Sequence, residues 1–125
     1  MIKFLIMFLL CSCDYFNELK YRYYFHNNGE VLCKITKDSP HNFEDGKIRI
    51  KNLNTDHPDV IIKEKTVGLT KLIEKESFIH AQFIDKINGN THIMILDTKN
   101  ALLQYLEIGI DNGSIFNVNY FANCK

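Results

Sequence analysis

The residues with the widest range of possible chemistry are four cysteines, Cys11, Cys13, Cys33 and Cys124. A thiol can be acylated, oxidised to a disulfide, used as a nucleophile or bound to a metal ion. No Cys-x-x-Cys spacing, the pattern of dithiol redox sites, occurs in the chain. Cys33 and Cys124, the two cysteines outside the N-terminal stretch, are too few to make a good zinc site on their own. The spacing therefore favours modification or crosslinking over redox or zinc chemistry.

The histidines form no recognised metal motif. His80 and His92 lie on strands that we predict to pair through a turn at Asn88, so they could be cross-strand neighbours and a conceivable metal pair. No third ligand has a fixed spacing to them. The simpler alternative places both on the polar side of a sheet, with pKa values near the ordinary 6.5. We predict no metal and no cofactor.

Motifs for enzymatic catalysis are not found. The serines lack the Gly-x-Ser-x-Gly context of a nucleophile elbow, and no phosphate-binding loop, dinucleotide fingerprint or metalloprotease helix occurs. Asp85 and Asp97 could face each other across a hairpin as a carboxylate pair, but each flanks a turn. The sequence therefore predicts a protein that is not an enzyme.

Residues 1–12 have the layout of a secretory signal. Lys3 is followed by an apolar run from Phe4 to Leu10. Seven residues span roughly 10 Å as a helix, too short for a hydrocarbon core of about 30 Å. The end of this signal, Leu10-Cys11-Ser12-Cys13, resembles the lipobox of bacterial lipoproteins. Cys13 fits this pattern better than Cys11, because small Ser12 precedes Cys13 whereas bulky Leu10 precedes Cys11.

The resemblance implies that residues 1–12 are cleaved and that Cys13 carries a diacylglycerol and an amide-linked acyl chain. More than one chain gives stable anchoring, so residues 13–20 become a lipidated tether on a bacterial envelope membrane, facing the periplasm. Asp14 resembles an inner-membrane retention signal, and inner versus outer membrane stays open. Ordinary cleaved secretion and an uncleaved cytosolic chain, in which the run is a buried strand, are the alternatives.

With Cys13 lipidated and Cys11 removed, Cys33 and Cys124 are left in an oxidising compartment. They most simply pair as a disulfide, which would close a loop of about 90 residues and stabilise the fold by around 4 to 5 kcal/mol. The mature chain has 14 basic and 15 acidic side chains. This balance does not indicate a nucleic-acid partner. Residues 21–125 have the length of one domain.

The fold class is mainly β, an antiparallel meander forming a small sandwich or barrel. Residues 47–51 alternate apolar and basic side chains, as a half-buried strand does. Asp111-Asn112-Gly113-Ser114 is the clearest hairpin turn. Residues 91–97 are expected to be buried on both faces, and residues 68–77 are either one short helix or a strand. The predicted strands are 21–25, 31–36, 47–51, 60–67, 78–87, 91–97, 101–110 and 115–124.

The C-terminal part has a second, less specific resemblance. Residues 95–102, Ile-Leu-Asp-Thr-Lys-Asn-Ala-Leu, precede a strand, a turn and the ending Asn123-Cys124-Lys125. This arrangement is similar to the C-terminal half of many small exported bacterial proteins, and it implies a compartment and a fold rather than an activity.

The aromatic residues Tyr21, Tyr23 and Tyr24 form a candidate contact surface, because aromatic side chains are enriched at interfaces. A small lipoprotein with a disulfide and no catalytic motif resembles immunity proteins, which neutralise toxins delivered by neighbouring cells. Lipid-anchored lysozyme inhibitors are similar in size and anchor, but their Ser-Gly-x-x-Tyr motif does not occur here. We expect a membrane-anchored binder of a toxin or envelope protein. A structural accessory subunit and a phage-encoded exclusion lipoprotein are the alternatives.

Overall fold

The computed structural model describes residues 25–27 and 29–125 of the chain. Within this part, residues 25–27 form a single helical turn and nine β-strands follow. The mainly β prediction is confirmed. The strands are β1 (Glu30–Ile35), β2 (Lys47–Lys51), β3 (Asp59–Ile62), β4 (Lys65–Gly68), β5 (Thr70–Glu74), β6 (Phe78–Ile84), β7 (Thr91–Asp97), β8 (Leu102–Asp111) and β9 (Ser114–Asn123).

All nine strands belong to one antiparallel sheet in the order β4-β3-β2-β1-β9-β8-β7-β6-β5. Strands β1–β4 form one up-and-down meander and strands β5–β9 form a second. The two meanders meet where β1 pairs with β9. The sheet curls into a nearly closed barrel, so the predicted meander adopts the barrel rather than the sandwich alternative.

The core fills the inside of this curled sheet, because alternate residues of each strand point inward. In β2, Ile48 and Ile50 are fully buried while the basic residues between them are exposed, as the alternation predicted. One continuous cluster results. Its larger members are Phe25, Val31, Ile48, Ile50, Leu53, Val60, Leu69, Ile79, Met94, Leu96, Leu103, Tyr105 and Tyr120.

The seam between the two meanders is short. Strands β1 and β9 pair at Lys34 and Ile35, opposite Asn123 and Ala122. The loop that follows β1 then continues along β9 through backbone and side-chain hydrogen bonds, and the backbone N–H of His41 donates to the carbonyl of Asn119 at 3.2 Å. The backbone N–H of Phe121 donates to Oγ of Ser39 (2.9 Å), which extends the seam beyond the end of β1.

A disulfide between Cys33 and Cys124 closes this seam, as the sequence predicted. Cys33 lies on β1 and Cys124 directly follows β9, and both are buried. The bond joins residues 91 positions apart. It therefore crosslinks the two meanders at the place where their backbone pairing is shortest.

The predicted single strand 60–67 is wrong, because two strands and a tight turn occupy it. Strands β3 and β4 pair with Ile62 opposite Lys65, so Lys63 and Glu64 are the two turn residues. Both have positive φ, 52° and 66°. This two-residue turn matches the twist of a hairpin, but it normally selects Asn or Gly. The local sequence therefore gave no turn signal.

Residues 68–77 contain β5, so the helix alternative is wrong. Thr70 pairs with Gln82 of β6, and the N–H of Lys71 donates to the carbonyl of Asp56 at 2.8 Å. Leu72 and Ile73 have helical spacing from Leu69, yet both are exposed. Their pairing in the sheet decides the conformation here, with a register shift between Lys71 and Ile73.

The prediction of a strand over residues 21–25 is wrong at Phe25, which belongs to the helical turn and is fully buried. Residues 21–24 lie outside the described part of the chain. The neighbouring His26 fixes this turn against the start of the second meander, with Nδ1 2.9 Å from Oε1 of Glu74. Strand β1 is flanked by β2 and β9.

Candidate functional site

Several predicted functional residues lie outside the described part of the chain. They are the leader 1–12, the lipidation site Cys13, the tether 13–20 and the aromatic contact surface Tyr21, Tyr23 and Tyr24. The candidate sites that follow are therefore built from residues 25–27 and 29–125.

The outer surface of β6–β9 is predominantly apolar. Residues directly opposite each other on paired strands point to the same face, and Ile93 pairs with Leu106 while Ile110 pairs with Ile115. These positions alternate with the inward-facing core residues. We name the following set the apolar face: Ile84, Ile93, Ile95, Leu102, Leu106, Ile108, Ile110, Ile115 and Phe121.

Solvent reaches much of this apolar face. Ile110 is 66% exposed, Ile115 is 80% exposed and Leu102 is 45% exposed. The prediction that residues 91–97 are buried on both faces is wrong, because Ile95 of β7 is 37% exposed. No second layer of the described residues covers this side of the sheet. Contiguous exposed apolar surface of this kind is typical of interaction sites.

The polar residues that border the apolar face are mostly amides. Nε2 of Gln104 donates to Oδ1 of Asn119 at 3.3 Å. Asp97 is the only carboxylate among the described outward-facing residues of β6–β9, and no ammonium group lies there. Its carboxylate accepts the backbone N–H of Lys99 and of Asn100, both at 3.0 Å. Asp97 thus serves the turn that follows β7, and the face itself carries little charge.

A shallow groove crosses the apolar face next to the seam with β1. It has a volume of about 290 Å³ and is lined by Ile95, Leu102 and Phe121, with Thr36 and Asp38 on its β1 side. The backbone N–H of Thr36 donates to the carbonyl of Phe121 at 2.9 Å. The groove therefore lies on backbone that is held by the sheet, which suits a preformed contact site.

A second candidate region lies inside the barrel, at one of its open ends. It is a cleft of about 330 Å³ between β3–β4 and β7–β9. We name it the barrel cleft. Its walls include Ile62, Lys65 and Val67 on one side and His92, Tyr105, Glu107, Val118 and Tyr120 on the other.

His92 is the central titratable group of the barrel cleft. Its Nδ1 lies 2.8 Å from the hydroxyl of Tyr105, and its ring stacks on Phe83 with 6.1 Å between centroids. Burial lowers the pKa of His92, and the Glu107 carboxylate, 4.0 Å from Nε2, partly opposes this. Burial also raises the pKa of Tyr105. Both groups are therefore neutral near pH 7, with the imidazole held by the phenol.

His80 and His92 are not cross-strand neighbours, so the conceivable metal pair does not form. His92 is opposite Phe83 across the hairpin, and His80 is opposite Ile95. The side chain of His92 points into the barrel, whereas His80 points outward with the apolar face. The expectation that both lie on the polar side of the sheet also fails. His92 points inward, and the outer side on which His80 lies is predominantly apolar, because strand register rather than turn position decides which residues share a face.

Asp85 and Asp97 do not face each other either. Asp97 is opposite Phe78, whereas Asp85 follows Ile84 at the other end of the same hairpin. Oδ1 of Asp85 accepts the backbone N–H of Ile87 at 2.9 Å. Both carboxylates therefore organise turns, as their sequence positions suggested.

No group of three or more His, Cys, Asp or Glu side chains in the described part of the chain could hold a metal ion. Among the described helical residues, none forms a segment long and apolar enough to span a membrane.

The sequence did contain the signal for the apolar face. Residues 93–96, Ile-Met-Ile-Leu, have no polar alternation. We attributed this pattern to a strand buried on both sides, since a continuous apolar run is typical of one. An uncovered sheet face with the same composition gives the same pattern.

Comparisons with protein-family models, with curated proteins and with solved structures find no match to this chain. The function is therefore argued from the geometry of these two regions and from the sequence.

Proposed function

We propose that this protein is a lipid-anchored, periplasm-facing binding protein that binds and neutralises another protein, such as a toxin delivered by a neighbouring cell. In this proposal Cys13 carries the lipid, and the apolar face of β6–β9 makes the contact. The disulfide between Cys33 and Cys124 keeps the two meanders together in the oxidising compartment.

The observation that carries this proposal is the exposure of the apolar face. Burying apolar surface stabilises a complex by roughly 25 cal/mol per Å² before the costs of association. The described outward side chains of β6–β9 include a single carboxylate, Asp97, and Asp38 adds a second one at the groove, so few charges would have to be desolvated on contact. The groove between Leu102 and Phe121 offers a recess for an anchoring side chain of the partner.

Inhibition by binding requires a rigid surface rather than a reactive group. Strands β8 and β9 are paired from Leu102–Asn123 to Asp111–Ser114, along their whole length. The apolar side chains therefore project from continuous hydrogen-bonded backbone. A preorganised surface of this kind loses less conformational entropy on association than a loop does.

The proposal is tested by deleting the gene and growing the deletion strain in mixed culture with its parent. We expect the deletion strain to be outcompeted at high cell density and to be rescued by the wild-type gene. If the two strains survive equally under contact-dependent competition, neutralisation of a sister-cell toxin is contradicted. An envelope defect in pure culture would instead favour the accessory-subunit role.

Two leucines provide a matched test of the apolar face. Leu102 on β8 and Leu32 on β1 are each 45% exposed on the outer surface, but only Leu102 belongs to the apolar face. Leu102→Lys should fail to rescue the deletion strain, because it places a charge in the contact. Leu32→Lys should rescue it fully. Equal rescue by both variants would exclude the apolar face as the contact.

The lipid anchor has a separate test. Growth with an alkyne fatty acid should label the wild-type protein and leave Cys13→Ala unlabelled. Cys11→Ala is the control and should still be labelled, since the proposal assigns the lipid to Cys13. Labelling of Cys13→Ala at the wild-type level would contradict the assignment of the lipid to Cys13. No labelling of the wild-type protein would contradict the lipid anchor itself.

A further inference from the structure

The barrel cleft carries an inference that is independent of the proposed protein contact, since it lies on the opposite side of the sheet. Its volume of about 330 Å³ lies within the range of small-molecule sites, roughly 300 to 1,000 Å³. An adjoining recess shares Lys65, Val67, His92 and Glu107 with it. The two recesses therefore adjoin along these four residues.

Opposite charges lie on opposite walls of this cleft. Lys65 is on β4, the last strand at one end of the sheet, whereas Glu107 is on β8 in the other meander. The curling of the sheet brings both to the same opening. Among the ion pairs of the described residues, none joins Lys65 to Glu107. Lys65 and Glu107 both line the cleft.

Neighbouring side chains use only part of the hydrogen-bonding capacity of the Glu107 carboxylate. One of its oxygens accepts the amide of Asn90 at 3.3 Å and lies 4.0 Å from Nε2 of His92. His92 is held by Tyr105 and stacked on Phe83, so it serves as a wall rather than as a counter-ion. The Glu107 side chain is 27% exposed. It can therefore accept a hydrogen bond from a cationic group in the cleft.

The remaining walls suit an aliphatic chain and an ammonium group. Ile62 and Val67 lie on the Lys65 side, and Val118 lies beside Tyr120 on the other. Aromatic rings next to a carboxylate favour an organic cation. Lys63, the second lysine at this opening, lies over the ring of Phe43, 5.3 Å from its centroid. Lys65 is thus the ammonium group that remains for an anion.

We infer that the barrel cleft binds a zwitterion in which an ammonium group and a carboxylate are joined by a short aliphatic chain. The ammonium group contacts Glu107 between Tyr105 and Tyr120, and the carboxylate contacts Lys65. The aliphatic chain packs on the valine and isoleucine side chains. A C-terminal lysine of a polypeptide and a free amino acid of similar charge spacing share this chemistry.

The test uses the full chain, ¹⁵N-labelled and purified in detergent with its disulfide intact. It is titrated with 6-aminohexanoate, hexylamine and hexanoate, which share the chain but differ in charge. We expect 6-aminohexanoate to bind most tightly and to shift the amide resonances of β4 and β8. Equal affinity for the three probes, or shifts confined to other strands, would overturn the inference.

Variants then assign the two charges. Glu107→Gln should weaken 6-aminohexanoate binding by roughly tenfold or more. Lys65→Met should weaken it by about threefold, since Lys65 is more exposed. Glu30→Gln and Lys51→Met, on the outer surface of β1 and β2, are the controls. If Glu107→Gln and Lys65→Met bind the probe like these controls, the assignment is wrong.

Two further probes separate the sources of the ligand. Nα-acetyl-lysine reproduces a C-terminal lysine, whereas free lysine has an additional α-ammonium group. Tighter binding of Nα-acetyl-lysine supports a polypeptide terminus, and tighter or equal binding of free lysine supports a free amino acid. Binding of neither probe, at concentrations where 6-aminohexanoate binds, would overturn the assignment to lysine-like zwitterions.

Discussion

The two meanders of the barrel present outer surfaces of different character. On β1–β3 the outward positions carry mostly charged side chains, namely Glu30, Lys34, Lys47, Arg49, Lys51 and Asp59. On β6–β9 the corresponding positions form the apolar face. Both meanders bury an apolar inner surface, which folding requires of each. Folding alone does not require the apolar face, and the contact proposed above would account for it.

The meanders also differ in how they are held together. Strands β8 and β9 pair along their whole length, whereas β1 and β9 pair at Lys34 and Ile35. The second meander is therefore stabilised by its own backbone hydrogen bonds. The attachment of the first meander depends on the core, the short seam, the disulfide and two backbone hydrogen bonds, in which Leu69 and Lys71 donate to the loop before β3.

The largest predicted effect follows from this seam. Cys33→Ala should lower the free energy of unfolding by about 4 to 5 kcal/mol, because it removes a crosslink that closes a long loop. Urea unfolding of the full chain measures the change. Cys124→Ala and the double variant should lose the same amount, since each removes the same bond. A loss below about 1 kcal/mol would mean that the seam holds without its disulfide.

A close contact inside the second meander gives the next effect. A Cβ on Gly109 would lie 2.2 Å from Oδ1 of Asn90 and 2.8 Å from the ring of Phe116. Gly109→Ala should therefore destabilise the fold by about 1 to 3 kcal/mol. Gly29→Ala, whose Cβ would meet its nearest atom at 3.6 Å, is the matched control and should be nearly neutral. Equal urea midpoints for Gly109→Ala and Gly29→Ala would contradict the expected clash at Gly109.

The hairpin turns of the two meanders differ in which type of residue adopts a positive φ. Glu64 has φ 66° in the first meander, and Gly113 has φ 80° in the second. Glu64→Gly should stabilise the protein by about 1 kcal/mol, because the left-handed conformation costs a side-chain-bearing residue about that much. Gly113→Ala should destabilise it by a similar amount. Changes of the same sign in thermal unfolding would contradict this account.

His92 predicts how stability depends on pH. Burial lowers its pKa in the folded protein, so below the ordinary value of 6.5 the unfolded chain binds the proton more readily. Its contribution is complete above that value and is lost as the pH falls toward the folded pKa. Glu107 and Asp85 oppose the shift, and Lys65 reinforces it.

Urea unfolding at about pH 7.5 and about pH 5 measures this contribution. The pH dependence should become shallower in His92→Gln and stay unchanged in His57→Gln, which replaces an exposed loop histidine. An unchanged slope in His92→Gln would show that other groups cause the pH dependence.

The smallest effect on stability is expected for the matched leucines. Leu32→Lys and Leu102→Lys should each change the free energy of unfolding by less than about 0.5 kcal/mol, because both side chains are on the outer surface. Circular dichroism during urea titration checks this. A large loss for Leu102→Lys alone would mean that the apolar face contributes to folding, and it would remove the contrast between the two surfaces.

Much of the fold follows from local pattern. The alternation of Ile48 and Ile50 with basic residues predicted β2, and Asn112-Gly113 predicted the turn between β8 and β9. The disulfide was predicted from the two cysteines that the proposed export and lipidation would leave, Cys33 and Cys124. The turn at Lys63 and Glu64 could not be predicted, because neither residue favours a positive φ.

The candidate sites were less accessible to sequence reasoning. Exposure of Ile95 depends on whether another layer covers the sheet, which a single apolar run does not reveal. The barrel cleft joins Lys65 and Glu107 from two different meanders, so no spacing in the sequence connects them. The depressed pKa of His92 likewise depends on its register, which points it inward.

The central claim is that the apolar face contacts a toxin protein. The most direct test measures the affinity of this chain for the toxin that kills the deletion strain. The wild-type chain, Leu102→Lys and Leu32→Lys are compared by calorimetry against that protein. The account predicts that Leu102→Lys loses roughly thirtyfold or more in affinity, the effect of about 2 kcal/mol at an interface centre, while Leu32→Lys binds like the wild type. Unchanged binding by Leu102→Lys, or an equal loss in both variants, would contradict it.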